Sequence, residues 1–321
     1  MTAQDQTLTQ YQHLMQINAA SHLIRTAREV GLLAELREGQ RTLPQICNQL
    51  SLVPDSTKLL LDGLVATGIV EKYEDDFALS RAAHLLCQYD EDLGDQMWST
   101  LADQVRGKRT RSDSEALADY VAATQWAHTP AAIQAAEILN VGGEGEVAGA
   151  RILDLGCGSA VWSCAMAHQD PQSTIVAVDN AAALVAARAT AESIGLGERF
   201  ETIEAESLEV ELPQEDFDLA VIAQRVGGLS AQAASSLLDG AVKTLKPGGR
   251  IAVIDLFRGP TKPNLSESIE ALRLDLGSQA GHIRTLEAIQ SQLIDLGLQG
   301  VQFAFIAASK ANMGIAVGTK P

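Results

Sequence analysis

Apolar residues in the first part of the chain recur at helical spacing. From about Tyr11 to Leu139, positions such as Leu14, Ile17, Leu23 and Ile24 fall near a 3.6-residue period with polar residues between them. Leu43–Leu50 reads as a short helix, opened by Thr42 as N-cap with Pro44 in its first turn. Leu52-Val53-Pro54-Asp55 reads as a turn, and Ser56 to Thr67 as a second helix stopped by Gly68. Ile69–Tyr73 and Phe77–Ser80 are two short extended runs around Glu74-Asp75-Asp76. Helix, turn, helix and hairpin is the order of a winged helix.

From Arg151 the pattern changes to strands alternating with helices. Ile152–Leu155, Thr174–Asp179, Phe200–Ala205, Phe217–Ala223 and Arg250–Phe257 read as strands, and the stretches between them as helices. Lys246-Pro247-Gly248-Gly249 reads as the turn before the last of these. Spacing of this kind predicts parallel βαβ units in a doubly wound, mostly parallel sheet. Val301–Ala307 and Met313–Val317 lie too close for a crossover and predict an antiparallel edge hairpin. The fold class is therefore α/β, a Rossmann-like sheet preceded by a mainly helical, winged-helix-like domain. Gly142–Glu146 resembles a linker, which divides the chain into 1–140 and 141–321.

Charge removes the first function that a winged helix suggests. Residues 1–95 hold seven Lys/Arg and fourteen Asp/Glu, a net of −7, and the whole chain carries −17. DNA binding rests on cations that neutralise phosphates, and the second helix of the module offers only Lys58. Neither nucleic acid nor an anionic membrane is an expected partner. No membrane-length apolar run and no secretory leader is evident, so a cytoplasmic location is expected. Cys47, Cys87, Cys157 and Cys164 form no metal-ligand spacing and read as free thiols; no metal is expected.

The chemical signal is the first βα turn, Asp154-Leu155-Gly156-Cys157-Gly158-Ser159-Ala160. Gly156 allows a tight turn, Gly158 lets a ligand approach the backbone, and the following helix offers free N–H groups. A dinucleotide fingerprint would need glycine at 161, where the chain has Val161. Asp179 ends the second strand, where a carboxylate can accept from both hydroxyls of a ribose, or alternatively cap the helix beginning at Ala181.

These residues, with the Lys246–Arg250 turn and the terminal hairpin, resemble class I methyltransferases. The helical module before them is similar to the plant and bacterial small-molecule O-methyltransferases. The resemblance implies S-adenosylmethionine as cofactor, S-adenosylhomocysteine as product and a small-molecule acceptor. It also implies a homodimer whose N-terminal module interlocks the subunits and roofs the substrate pocket. Carried over, Asp154, Gly156 and Gly158 would form the cofactor turn, Asp179 would hold the ribose, and Glu206 would lie beside the adenine. Ala223 and Gln224 would adjoin the sulfonium and adenosine.

One position departs from the family pattern. The family's histidine, which removes the acceptor hydroxyl's proton, falls at Gly227, and Arg225 cannot act as a base. An acceptor such as an amine, a thiol or an acidic enol would need no such base. The alternatives are a base from His13, His22, His128 or His282, or a protein that binds the cofactor without methylating. His84 and His168 read as surface or core residues. Trp98 and Trp126 are core or substrate platform, and Arg106–Arg111 is a solvated loop or a contact for an acidic ligand.

Overall fold

The computed structural model describes residues 3–89, 95–108, 120–145, 148–205, 210, 212–258, 262–278 and 280–321. It divides into two compact units, Met1–Gly94 and Asp95–Pro321. No helix among the described residues is long and apolar enough to cross a membrane.

The first unit opens with a long helix α1 (Ala3–Glu29) and a short α2 (Leu32–Arg37). A two-residue strand β1 (Arg41–Thr42) leads into α3 (Leu43–Leu50). Helix α3 starts where the sequence signals it: the Thr42 side chain accepts from the Gln45 amide while the Gln45 side chain reaches back to the Thr42 amide. Helix α4 (Pro54–Ala66) begins at Pro54, two residues before the expected Ser56, because proline fits the first turn of a helix. Strands β2 (Val70–Tyr73) and β3 (Asp76–Leu79) form the hairpin and α5 (Arg81–Tyr89) follows. Strand β1 adds to the other side of β3, a third strand too short to show as a pattern. Leu32, Leu36, Ile46, Leu61, Leu64 and Phe77 close this unit's core.

The second unit begins with α6 (Asp95–Ser99) and α7 (Leu101–Val105), and after the turn Gln125–His128 continues as α8 (Thr129–Leu139). The Gly142–Gly145 segment lies within this unit. Five parallel strands follow: β4 (Arg151–Leu155), β5 (Thr174–Asp179), β6 (Phe200–Glu204), β7 (Phe217–Ala223) and β8 (Leu245–Arg258). Between them lie α9 (Val161–Gln169), α10 (Ala181–Ser193) and α11 (Ala231–Thr244). After β8 come α12 (Leu265–Gly277), the short β9 (Arg284–Thr285), α13 (Leu286–Asp295), and the antiparallel pair β10 (Gln299–Phe305) and β11 (Met313–Thr319). The sheet order is β10-β11-β8-β7-β4-β5-β6, with β9 beside β8. Both faces are covered: the alanines of α8 lie buried beside α9 on one, and α11 and α13 pack on the other.

The expected turn at Lys246–Gly249 is instead absorbed into β8. Phe217 pairs with Leu245 and Leu219 with Arg250, so the extra residues form a bulge within one strand. Gly248 supplies φ +80° there, and its amide donates at 2.9 Å to the carbonyl of Lys320, just past β11, which helps hold the bulge.

Candidate active site at the switch point of the sheet

The chain runs outward from β4 through β5 to β6, then returns to β7 on the other side of β4. Ligands in open α/β sheets bind at the carboxyl ends of the strands beside such a reversal. The loops after β4 and β7 therefore define the site.

The loop after β4 is a series of left-handed residues: Gly156 at φ +72°, Gly158 at +57° and Ala160 at +56°. The first two carry no Cβ penalty, whereas Ala160 costs roughly 1–2 kcal/mol. Close approach also dictates the glycines. A Cβ on Gly156 would stand 2.5 Å from Arg225 Nε, and one on Gly158 3.1 Å from Gln125 Oε1.

Asp179 braces this turn from the tip of β5. Its Oδ2 accepts from the Gly158 amide and its Oδ1 from the Asn180 amide, each at 2.9 Å. The cap of α10 is Asn180, whose side chain accepts from Ala183. Asp179 is thus free of the capping role that its position also allowed.

Asp154 is buried at the end of β4, with the Ser163 hydroxyl donating to its Oδ2 at 2.5 Å. Burial pushes its pKa up to about 7, opposed by the Ser163 hydrogen bond and reinforced by the charge of Asp179. Burial also holds the Cys157 thiol well above its ordinary range and pushes Cys164 to about 12, so neither is a nucleophile at neutral pH; all four cysteines are unpaired.

Two residues that sequence reasoning missed complete the turn. Gln125 is fully buried, and its Oε1 accepts from both the Ser159 amide and hydroxyl at 3.0 and 3.1 Å. Because an amide donates to it, that atom is the oxygen, and the side chain's nitrogen points elsewhere. Arg225 covers Gly156 from the loop after β7. Five buried side-chain polar atoms among the described residues make no hydrogen bond, and three of them surround this turn: Gln125 Nε2, Arg225 Nε and Asp154 Oδ1. Buried polar atoms of this kind ordinarily find a partner. Two donors and one acceptor match a ligand that carries both a carboxylate and an ammonium.

The loop after β7 starts at Ala223, buried and paired with Ile254. Gln224 follows at φ +57°, and its Oε1 accepts from the Trp162 indole at 3.1 Å. His128 stacks on Trp162 with ring centroids 6.0 Å apart, and burial lowers its pKa, which leaves the ring neutral at pH 7. Gly227 then donates its amide to Asp255 Oδ2 at 2.8 Å, while Asp255 Oδ1 accepts from Leu256 at the same distance. Arg284 fixes this loop through the carbonyls of Val226, Leu229 and Ser230, and the Ser278 hydroxyl donates to the Gly228 carbonyl. Burial raises the Asp255 pKa against the pull of those amides and of Arg284.

The other residues singled out in the sequence lie apart from this group. His13 and His22 are exposed on α1 of the first unit. His282 donates its backbone amide to the Gly227 carbonyl, but its exposed ring is near the Ala280 carbonyl. His84 and His168 are exposed, and Trp126 is 39% exposed. Trp98 stands under the Arg273 guanidinium, 5.9 Å from the ring centre. Arg106 pairs with Asp103. Glu206 and Arg109–Arg111 fall outside the described residues.

Residues 152–249, from β4 to the bulge in β8, match the family model of a methyltransferase domain. This stretch is under a third of the chain, and within it the chain is similar to that family. The likeness of fold extends over its whole length. An O-methyltransferase family protein from Burkholderia thailandensis is 18% identical at TM-score 0.69, covering 100% of this chain and 98% of the other. The mitomycin 7-O-methyltransferase MmcR is 19% identical at TM-score 0.72, covering 99% of each. Human N-acetylserotonin methyltransferase, solved in complex with S-adenosylmethionine, is 20% identical at TM-score 0.69, covering 100% of this chain and 98% of that one. No curated protein matches in a comparison of sequences. The glycine turn, Asp179 and the loop after β7 all lie inside the matched residues 152–249.

Proposed function

We propose that this protein is an S-adenosylmethionine-dependent methyltransferase acting on a small organic acceptor. The observation that carries the reading is the set of unpartnered buried atoms at the glycine turn, Gln125 Nε2, Arg225 Nε and Asp154 Oδ1. The amino-acid end of the cofactor has one carboxylate and one ammonium, which fit two donors and one acceptor. The residues present therefore suit the group.

When bound, the cofactor supplies a methyl group on a sulfonium, already an excellent leaving group. The protein's part is to bind, align and exclude water. Gln125 and Arg225 hold the carboxylate and Asp154 the ammonium. Asp179 keeps the turn in shape and presents its remaining lone pairs to the ribose. Ala223 and Gln224 form the wall toward the reacting centre, and Glu206 takes the adenine side. Residues 1–140, read as a helical, winged-helix-like domain, serve as dimerisation and substrate-lid domain in a homodimer.

Calorimetry with S-adenosylmethionine, S-adenosylhomocysteine and NAD tests the reading. Binding of the two adenosyl compounds in the micromolar range, without NAD, is expected; binding of NAD alone refutes it. Because Gly227 holds no side-chain base, a second reading is a cofactor-binding relative that does not methylate. A panel of phenol, amine and thiol acceptors with methyl-labelled cofactor separates the two.

A further inference from the structure

We propose that His128 takes the acceptor's proton in this methyltransferase, in place of the side chain that Gly227 lacks, and that the acceptor is a hydroxyl of the phenol or enol class; this rests on the cofactor reading above. Gln125 and His128 are the first and last residues of one tight 3-10 turn. In such a turn side chains three residues apart eclipse, and the rise is about 2 Å per residue. The Gln125 side chain is aimed at the glycine turn, where its Oε1 accepts from Ser159. His128 therefore projects from the same side, about 6 Å further along.

A second contact fixes where the ring lies. It stacks on Trp162, with planes 24° from parallel, and the Trp162 indole donates to Gln224 Oε1 at 3.1 Å. The ring is thus tied to the wall residue after β7 on one side. Through Gln125 it is tied on the other to the groups that hold the amino-acid end of the cofactor. The reacting centre lies between the two, because only two methylene groups separate the sulfonium from the carbon that bears the carboxylate and the ammonium.

The imidazole has no other task. His128 stands at the N-terminus of α8, yet its side chain does not cap the helix. It makes no hydrogen bond among the described residues, and its nitrogens are not among the buried polar atoms that lack one, so they are reachable from solvent. On the helices packed against the turn, Glu137 of α8 and His168 of α9 are exposed and the Cys164 thiol stays protonated; burial alone shifts the ring, toward the neutral form. No other histidine is brought here: His13 and His22 belong to the first unit, and His84, His168 and His282 are exposed. A phenol, with a pKa near 10, gains from a positioned base, whereas an amine needs none. In the step itself a lone pair of the acceptor oxygen forms the O–CH3 bond as the S–CH3 bond breaks, and that bond's electron pair stays on sulfur. The O–H proton passes to His128, and the imidazolium later releases it to water.

The full chain is assayed with methyl-labelled cofactor and a panel of phenols and amines from about pH 5 to 9, as wild type, His128→Gln, His128→Ala and His282→Gln. Wild-type kcat/KM for phenols should fall on the acid side with a midpoint below about 6.5, since only the neutral ring accepts a proton. His128→Gln should lose that limb and about 100-fold in kcat/KM at neutral pH, while His282→Gln keeps both. Imidazole in the medium should restore part of the rate of His128→Ala and leave the wild type unchanged, which a purely structural role would not produce. A readout without turnover uses 4-nitrophenol, whose ionised form is coloured, bound to protein saturated with S-adenosylhomocysteine. At equal pH the ratio of bound phenolate to phenol should be about tenfold higher in wild type than in His128→Gln. A wild type without the acid limb, a limb that survives in His128→Gln, equal ionisation of 4-nitrophenol in the two proteins, or transfer to amines alone or to nothing overturns the proposal. Failure of the wild type to bind the adenosyl compound strikes the cofactor reading first and takes this one with it.

Discussion

Asp179 and Gly158, 21 residues apart in sequence, are joined by a 2.9 Å hydrogen bond from the glycine amide to the carboxylate. The carboxylate's other oxygen takes the Asn180 amide, so it organises the turn before any ligand arrives. Hydrogen bonds to a charged group contribute about 1.5–3 kcal/mol each. Asp179→Ala is expected to weaken S-adenosylmethionine binding about 100-fold, which is about 2.7 kcal/mol. Asp179→Asn should be intermediate, because its amide nitrogen must face one of the two donor amides. Calorimetry on both variants measures this, and an affinity unchanged in Asp179→Ala would move the cofactor elsewhere.

Asp154 gives the site a pH dependence whose sign is fixed. Its pKa in the folded protein, about 7, lies above the ordinary carboxylate value, so the ligand-free fold favours the protonated form. That stabilisation is present in full below the ordinary value and is lost as pH rises through about 7. Ligand-free melting temperature should therefore decline between about pH 4 and 7, and Asp154→Asn should flatten the decline. An ammonium beside Oδ1 requires the ionised form, so cofactor affinity should rise with pH up to about 7 and binding should release protons. Calorimetry in buffers of different ionisation enthalpy counts those protons; uptake, or no exchange, contradicts the assignment.

Gln125 and Arg225 supply the two unpartnered donors, and Arg225 separates ligand binding from folding. Gln125→Glu keeps an acceptor for the Ser159 amide and hydroxyl but replaces the unpartnered donor with a second acceptor. Arg225→Ala removes a buried donor that no protein group satisfies. Arg225→Ala breaks no side-chain donor's bond in the ligand-free protein, so its melting temperature should change little, whereas the buried carboxylate of Gln125→Glu should lower it. Cofactor affinity should fall about tenfold or more in each, since a lost bond to a charged group is worth about 1.5–3 kcal/mol. Thermal shift with and without S-adenosylhomocysteine reads both quantities at once.

The part of this site carried by local conformation was legible in the sequence. Gly156 and Gly158 announce left-handed backbone, Asp179 ends an uninterrupted apolar strand, and Thr42 signals its helix through its own hydrogen bond. What depends on residues meeting across the fold was not. Gln125 reaches Ser159 over 34 positions and Asp255 reaches Gly227 over 28, and neither residue sits in a pattern that marks it. Asp255 in particular reads as one polar residue at the end of a buried strand. The Lys246–Gly249 segment departs from its local signal for the same reason: Pro and Gly favour a turn, but hydrogen bonds with Lys320, just past β11, keep the segment in the ladder as a bulge.

Helix α1 provides the test of the assembly. Leu8, Tyr11, Leu14, Met15 and Ile17 are 46–61% exposed along it, a concentration of large apolar side chains that a solvated helix would not retain at no cost. Burying them against a second copy would remove apolar surface at about 25 cal/mol per Å². Sedimentation velocity at micromolar concentration is expected to show a dimer. Placing charges in the stripe with Leu8→Glu and Leu14→Glu together should give a monomer whose cofactor affinity is unchanged, since the cofactor turn belongs wholly to the second unit. A wild type that sediments as a monomer, or a double variant that still dimerises, removes α1 as the subunit contact.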